Sequence, residues 1–157
     1  MKQALARHRW WWLLSLLVWG AAQAGSLALE IKHRIQDQYG RDGGARLERW
    51  EALVWDNVYE STPNKLVRVN DFFNQLRFVS DSEHWQQEDY WATPFETLAS
   101  NGGDCEDFAI AKYFTLRQLS VPASQLRITY VKALRLNQAH MVLTYYPEDE
   151  GEPLVLD

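Results

Sequence analysis

Asn101-Gly-Gly-Asp-Cys-Glu-Asp-Phe-Ala-Ile-Ala-Lys-Tyr-Phe114 is the stretch around which the predicted fold is built. It contains Cys105, the single cysteine among 157 residues. Asp104 is a typical N-cap residue, and the largely apolar residues after it predict a buried helix over residues 105–119. A thiol in the first turn of such a helix is either a small buried hydrophobe or a nucleophile.

The residues before this stretch predict helices. Apolar side chains at helical spacing indicate three of them, over residues 27–39, 47–58 and 63–79. Gly40–Gly44 separates the first two, and residues 81–89 are polar enough to predict a loop. Thr93-Pro-Phe-Glu96 is a capping box that starts a short helix, and Gly102 and Gly103 are predicted to supply the left-handed turn that ends it.

The residues after the central helix predict strands. Runs rich in Val, Ile, Leu, Thr and Tyr indicate three of them, at Arg127–Leu134, His140–Tyr146 and Leu154–Asp157. Short turns join these runs, so neighbouring strands should pair antiparallel. Because helices come first and strands last, the chain is predicted to be of the α+β class, without repeats or a second domain.

The first 24 residues have the composition of a secretory signal peptide. Three basic residues precede an apolar run at Trp10–Trp19, and Ala22-Gln-Ala24 matches a cleavage site. The run is too short for a membrane-spanning helix, although an uncleaved membrane anchor is the alternative interpretation. We therefore expect an exported protein whose domain comprises residues 25–157.

The predicted mature chain is acidic. It keeps 13 of the 16 basic residues and all 21 acidic ones, which leaves a net charge of −8. This charge, without any basic run, argues against nucleic acid or an anionic membrane surface as a partner. A single cysteine excludes a disulfide within the chain, and a lone thiol in an oxidising compartment is a candidate reactive group.

His140 opens one predicted strand and Asp157 closes the next. In an antiparallel hairpin, the residue numbers of directly opposed residues always add up to the same value. A turn centred between residues 148 and 149 would therefore place His140 and Asp157 directly opposite each other. A turn centred one residue later would make them diagonal neighbours on the same face. A shift of half a residue would place them on opposite faces.

Cys105, His140 and Asp157 would together supply the parts of a cysteine nucleophile. The imidazole takes the thiol proton, the carboxylate holds the imidazole tautomer, and the helix N-terminus favours the thiolate. The alternatives are a buried structural cysteine and a strand histidine with satisfied hydrogen bonds. His33 and His84 are weaker candidates for the base, because they fall on a predicted amphipathic helix and in a polar loop.

The carboxylates of Asp104, Glu106 and Asp107 would each oppose a thiolate at Cys105. They must either point to solvent or be neutralised by a cation, and oxygen ligands clustered on a turn suit calcium. Their spacing is not that of an EF-hand, so an N-cap and two first-turn carboxylates explain them equally well. One cysteine and scattered histidines do not have the spacing of a zinc site.

Five blocks of the sequence resemble the LapG-type periplasmic cysteine proteases, the bacterial transglutaminase-like cysteine proteinases. The blocks are Tyr90-Trp-Ala-Thr-Pro-Phe-Glu96, Gly102-Gly-Asp-Cys-Glu-Asp-Phe-Ala-Ile-Ala-Lys-Tyr113, Tyr130-Val-Lys-Ala133, Asn137-Gln-Ala-His-Met-Val-Leu143 and Leu154-Val-Leu-Asp157. The resemblance implies a papain/transglutaminase-like fold, with the cysteine helix packed on an antiparallel sheet. It also implies that Cys105, His140 and Asp157 are the catalytic triad.

The same resemblance implies calcium dependence, with Asp104 and Glu106 as ligands by position and Asp107, Glu88 and Asp89 as further candidates. It implies a periplasmic endopeptidase that cuts a large surface adhesin near its N-terminus, after a di-alanine site, so that the adhesin is released and the biofilm disperses. The implied regulator is a LapD-like inner-membrane receptor for cyclic di-GMP, which sequesters the protease. After signal cleavage the chain is not expected to insert into the membrane.

Two other functions stay open at this point. The same three residues serve acyl transfer to amines in transglutaminases. Members of the resembled family continue well past the position of Asp157, so we expect the domain of residues 25–157 to be C-terminally truncated. A truncated domain could serve as a non-catalytic periplasmic binding module.

Overall fold

The computed structural model describes residues 4–135, 137–148 and 151–157, with side chains described from residue 29 onward. The predicted signal peptide, residues 1–24, lies outside the residues whose side chains are described and stays a prediction. Within the described part of the chain, no helix is both long and apolar enough to cross a membrane.

Helices come first and the longer strands last, as the sequence predicts. In chain order the elements are α1 (Ala4–Asn57), α2 (Thr62–Phe73), β1 (Arg77–Phe78), α3 (Asp81–His84), α4 (Pro94–Ser100), β2 (Gly102–Gly103), α5 (Cys105–Gln118), a 3₁₀ turn (Ala123–Gln125), β3 (Leu126–Ala133), β4 (Gln138–Tyr145) and β5 (Leu154–Leu156). The α+β class is therefore confirmed.

The predicted break between two helices lies at Gly40, the first residue of Gly40–Gly44. Gly40, with φ 73° and ψ −177°, is non-helical and separates two helical stretches of α1 at a kink, and the second stretch follows at once without a loop. Gly43 lets the helix approach α4, since a Cβ there would lie 3.0 Å from the Ala99 carbonyl oxygen. The glycines therefore serve close packing and a change of direction.

Two shorter stretches differ from the prediction. Helix α2 ends at Phe73 and not at Val79, because Arg77–Phe78 pairs with Gly102–Gly103 as a short parallel ladder. The predicted loop over residues 81–89 begins with the four-residue helix α3. At residues 77 and 78, a contact with the turn before α5 decides the local structure.

Helix α5 is the centre of the molecule and packs against α2, α4 and the sheet. Its fully buried residue Leu116 joins a core with members on each of these elements, including Val69, Leu98 and Leu143. Each fully buried aliphatic side chain of this kind stabilises the fold by about 1.5–3 kcal/mol. The cysteine-bearing helix is thereby anchored in the core.

The sheet has the order β3-β4-β5, and both pairs are antiparallel. Leu143 pairs with Leu156, so the β4–β5 turn is centred between residues 149 and 150, which themselves lie outside the described part of the chain. This is the second of the two registers considered above. It makes His140 and Asp157 diagonal neighbours on one face of the sheet.

Candidate active site

The turn before α5 depends on close backbone packing. Asn101, with φ 65° and ψ 35°, adopts the left-handed conformation at the end of α4, so the prediction that a glycine does so is wrong. The glycines are needed for space instead. A Cβ at Gly102 would lie 2.7 Å from the Arg77 carbonyl oxygen, and one at Gly103 would overlap the Asp107 carboxylate. The sequence pattern located the turn but misassigned the roles within it.

A groove of about 190 Å³ brings together Cys105, His140 and Asp157. Nε2 of His140 lies 2.8 Å from Oδ1 of Asp157. Because Nε2 is bonded to the carboxylate, the other ring nitrogen of His140, Nδ1, is available for a second partner. The three residues named from the sequence therefore line one groove, and the last two are hydrogen-bonded.

The thiol of Cys105 donates to Oε2 of Glu106 over 3.0 Å. Burial, which has the larger effect, and this hydrogen bond together raise the pKa of Cys105 to about 12. A hydrogen bond with the Met141 backbone acts in the opposite direction and lowers the pKa. The helix N-terminus alone therefore does not produce a thiolate. The negative charge beside the sulfur has to be offset first.

The carboxylates near Cys105 do not simply point to solvent. Asp107 is 0% exposed, and its Oδ1 accepts the backbone N–H of Ala92 over 2.7 Å. Burial raises the pKa of Asp107 to about 6, and burial together with a hydrogen bond to Glu106 raises the pKa of Asp104 to about 8. Of the two alternatives that the sequence left open, carboxylates that point to solvent do not fit Asp107, and neutralisation by a cation stays a prediction.

Asp81 is a further carboxylate at this place, and sequence reasoning missed it. It begins α3, is 3% exposed, and accepts the backbone N–H of Tyr90 through Oδ2, whereas its Oδ1 has no hydrogen-bond partner in the part of the chain that the structure describes. Ser80-Asp-Ser-Glu83 is a capping-box pattern that could have indicated α3. No local sequence pattern, however, predicts that Asp81 is buried beside α5.

These carboxylates form overlapping groups whose oxygen atoms come close together. Side-chain ligand atoms lie within 4.8 Å of one another in three groups: Asp81, Asp104 and Asp107; Asp81, Asp89 and Glu106; and Asp104, Cys105 and Glu106. Of the predicted ligands, Glu88 belongs to no such group within the described residues.

The donor set fits a hard cation. Oδ1 of Asp81 and Oδ1 of Asp104 are both buried without a hydrogen-bond partner among the described residues. A buried carboxylate oxygen in this state is costly, and all-oxygen coordination by several carboxylates is what calcium prefers. The residues present therefore fit a calcium ion by the chemistry of their donor atoms.

Residues 50–157 match the family described as bacterial transglutaminase-like cysteine proteinase BTLCP. The chain belongs to this family. Structures of Legionella pneumophila LapG, calcium-bound and EGTA-treated, are each 45% identical to it with a TM-score of 0.71, and the alignments cover 82% of this chain and 71% or 69% of LapG. No curated protein matches the chain significantly.

Membership of the family confirms the predicted transglutaminase-like fold and the predicted class of enzyme, a cysteine proteinase. The roles of the individual residues in catalysis and in metal binding stay predictions. The groove and the carboxylate groups show where each of those predictions can be tested.

Proposed function

We propose that the chain is a calcium-dependent cysteine endopeptidase whose nucleophile, base and orienting group are Cys105, His140 and Asp157. The observation that carries this proposal is the 2.8 Å hydrogen bond between His140 and Asp157, in the groove that also contains the single cysteine. With Nε2 bonded to Asp157, Nδ1 of His140 is the nitrogen that would take the thiol proton.

Hydrolysis then follows from the chain's own groups. Glu106 turns away from the thiol, His140 takes its proton, and Sγ of Cys105 attacks the carbonyl carbon of the substrate. The backbone N–H of Cys105, at the N-terminus of α5, donates to the oxyanion. His140 gives the proton to the leaving amine, and a water molecule, deprotonated by the same imidazole, releases the acyl group. Asp157 keeps the ring in one orientation throughout.

The carboxylates of Asp81, Asp104, Glu106 and Asp107 would hold the calcium ion, with Asp89 as a further ligand candidate. The buried Oδ1 atoms without partners support this proposal, as do the calcium-bound and EGTA-treated structures of the similar LapG. When bound, the ion supplies positive charge beside Cys105 that offsets the carboxylates.

The substrate and the setting are inferred from the family. We propose that the enzyme works in the periplasm and cuts a large surface adhesin near its N-terminus, after a di-alanine site, so that the adhesin is released and the biofilm disperses. A LapD-like inner-membrane receptor for cyclic di-GMP would sequester it. The 45% identity to LapG and the signal-peptide pattern of residues 1–24 support these proposals.

Cleavage of an adhesin N-terminal segment that contains Ala-Ala tests the activity. The wild-type protein should cut the segment once, and Cys105→Ala should leave it intact while keeping the far-UV circular dichroism of the wild type. Full cleavage by Cys105→Ala would end the proposal. EGTA should stop the wild-type reaction and added calcium should restore it, so EGTA-insensitive cleavage would remove the calcium claim alone.

The two alternative functions have their own readouts in the same assay. With a primary amine present, an amide between substrate and amine would indicate acyl transfer, whereas two unmodified fragments indicate hydrolysis. A non-catalytic binding module would retain the segment without cutting it, and its thiol would hardly react with an alkylating probe below pH 8.

A further inference from the structure

Lys112 is a buried lysine in the groove for which the proposed mechanism has no use. It lies on α5, two helical turns after Cys105, and lines the same groove as His140 and Asp157. It is 2% exposed. Within the described residues its ammonium group makes no hydrogen bond or ion pair, and Nζ lies 5.9 Å from the centroid of the Phe108 ring.

Packing alone does not account for a charged side chain at this place. A lysine that only covers apolar surface extends its ammonium group into water, and a buried ammonium without a close partner destabilises a fold. Burial lowers the pKa of Lys112 to about 8, and the charge of Asp157 acts in the opposite direction. Among the described residues that line the groove, Asp157 is also the one that carries a carboxylate.

We propose that Lys112 is a positioning residue whose ammonium group attracts the Asp157 carboxylate and keeps it directed at Nε2 of His140. The inference rests on the proposed triad. The Asp157 side chain is 63% exposed and lies at the end of β5, so its hydrogen bond to His140 competes with water. A buried cation that lines the same groove adds a second attraction for the carboxylate.

The groups that face Lys112 in the groove come from the three elements around it. Asp157 follows β5, His140 belongs to β4, and Cys105 is on its own helix; Asn74, just after α2, is uncharged. Because the ammonium group repels an imidazolium, removal of its charge should make His140 easier to protonate. The effect can be read on the imidazole itself, without substrate.

Carbon-13 NMR of the His140 ring in calcium-loaded protein is the test. In Lys112→Met the titration midpoint should move to higher pH by roughly half a unit or more, because a nearby unit charge is lost. Lys112→Arg, which keeps the charge, should retain the wild-type midpoint. In the cleavage assay Lys112→Met should lower kcat about tenfold and leave KM within about twofold.

Lys65→Met is the matched control. Lys65 is also a buried lysine, but its Nζ donates to the Leu119 carbonyl oxygen over 2.9 Å, at the opposite end of α5. Its loss should lower stability without moving the His140 midpoint. An unchanged midpoint in Lys112→Met, or an equal shift in Lys65→Met, would overturn the inference.

A reciprocal measurement keeps the inference testable if Lys112→Met does not fold. In Asp157→Asn the titration of the Lys112 ammonium group, followed through its Cε carbon, should move to lower pH than in the wild type; no movement would refute the link. Neither titration needs substrate. Failure of the cleavage assay would therefore count against the proposed function, whereas unshifted midpoints would count against the role of Lys112 only.

Discussion

Asp107 shows how one residue holds the cysteine turn together. Its two oxygens accept the backbone N–H groups of Ala92 and Asp104, over 2.7 Å and 3.4 Å. These bonds tie the chain before α4 to the start of α5. Burial raises its pKa and the two hydrogen bonds lower it, with burial the larger effect. Asp107 is therefore a structural link at the place where a cation would bind.

Gly103→Ala should destabilise the protein by about 2–3 kcal/mol, because the added methyl group displaces Asp107 and breaks its hydrogen bonds. Urea unfolding measures the loss. An unchanged free energy of unfolding would show that the close packing at Gly103 is unimportant.

Asp81→Asn should weaken calcium binding at least tenfold, measured by titration calorimetry. The asparagine keeps an oxygen for the backbone N–H of Tyr90 but loses the negative charge that a calcium site requires. Glu83→Gln, on the exposed side of the same short helix, should bind calcium as the wild type does. Unchanged affinity in Asp81→Asn would remove Asp81 from the proposed ligands.

The C-termini of α4 and α5 are each bound by a cation from another helix. The Arg46 guanidinium on α1 donates to the carbonyl oxygens of Leu98 and Ala99 at the end of α4. Lys65 on α2 does the same at Leu119, just after α5. Positive charge at a helix C-terminus is favourable, and the last carbonyl groups lack partners within their own helix.

The end of β5 is also held by side chains from another element. Nδ2 of Asn74 donates to the Asp157 carbonyl oxygen over 2.9 Å, and Nδ2 of Asn70 donates to the same oxygen over 3.4 Å. These bonds fix the backbone from which the Asp157 carboxylate reaches His140. Residues at the end of α2 thereby contribute to the geometry of the groove.

Asn74→Ala should reduce kcat several-fold with little change in KM, because loss of about 1 kcal/mol of hydrogen bonding loosens Asp157. Gln75→Ala is the control, since that neighbouring amide donates only to the Asp71 carbonyl oxygen of its own helix. Kinetics of adhesin-segment cleavage compares the two variants. If both lose activity equally, the effect belongs to the helix and not to the contact with Asp157.

At the scale of the whole molecule, Lys112 makes stability depend on pH. Its pKa of about 8 in the folded state lies below the ordinary value of 10.5. Between these values the unfolded chain binds more protons, so the free energy of unfolding should rise with pH across this window, by up to about 3 kcal/mol.

Lys112→Met should lack this rise and should be more stable than the wild type below pH 8, because a buried charge has been removed. Urea unfolding of both proteins at intervals from pH 7 to pH 10.5 measures the difference. Parallel stability curves would show that Lys112 is protonated equally in the folded and unfolded states. A variant that is more stable but less active would fit a lysine retained for function.

Local patterns predicted much of this molecule. The capping box at Thr93–Glu96, the apolar helix after Asp104 and the alternating strands all form where the sequence places them. Predictions were wrong where a distant contact overrode local preference. The end of α2 is the clearest example, since residues 77 and 78 become a strand only because Gly102–Gly103 lies beside them.

The sequence by itself determined the α+β class and the helix that bears Cys105, and it named the three residues that we propose as nucleophile, base and orienting group. Only the tertiary structure decided the diagonal register of His140 and Asp157, and only it placed Asp81 and Lys112 at the site. The reason is physical: capping and periodicity act within a few residues, whereas register, burial and charge pairing depend on elements far apart in the chain.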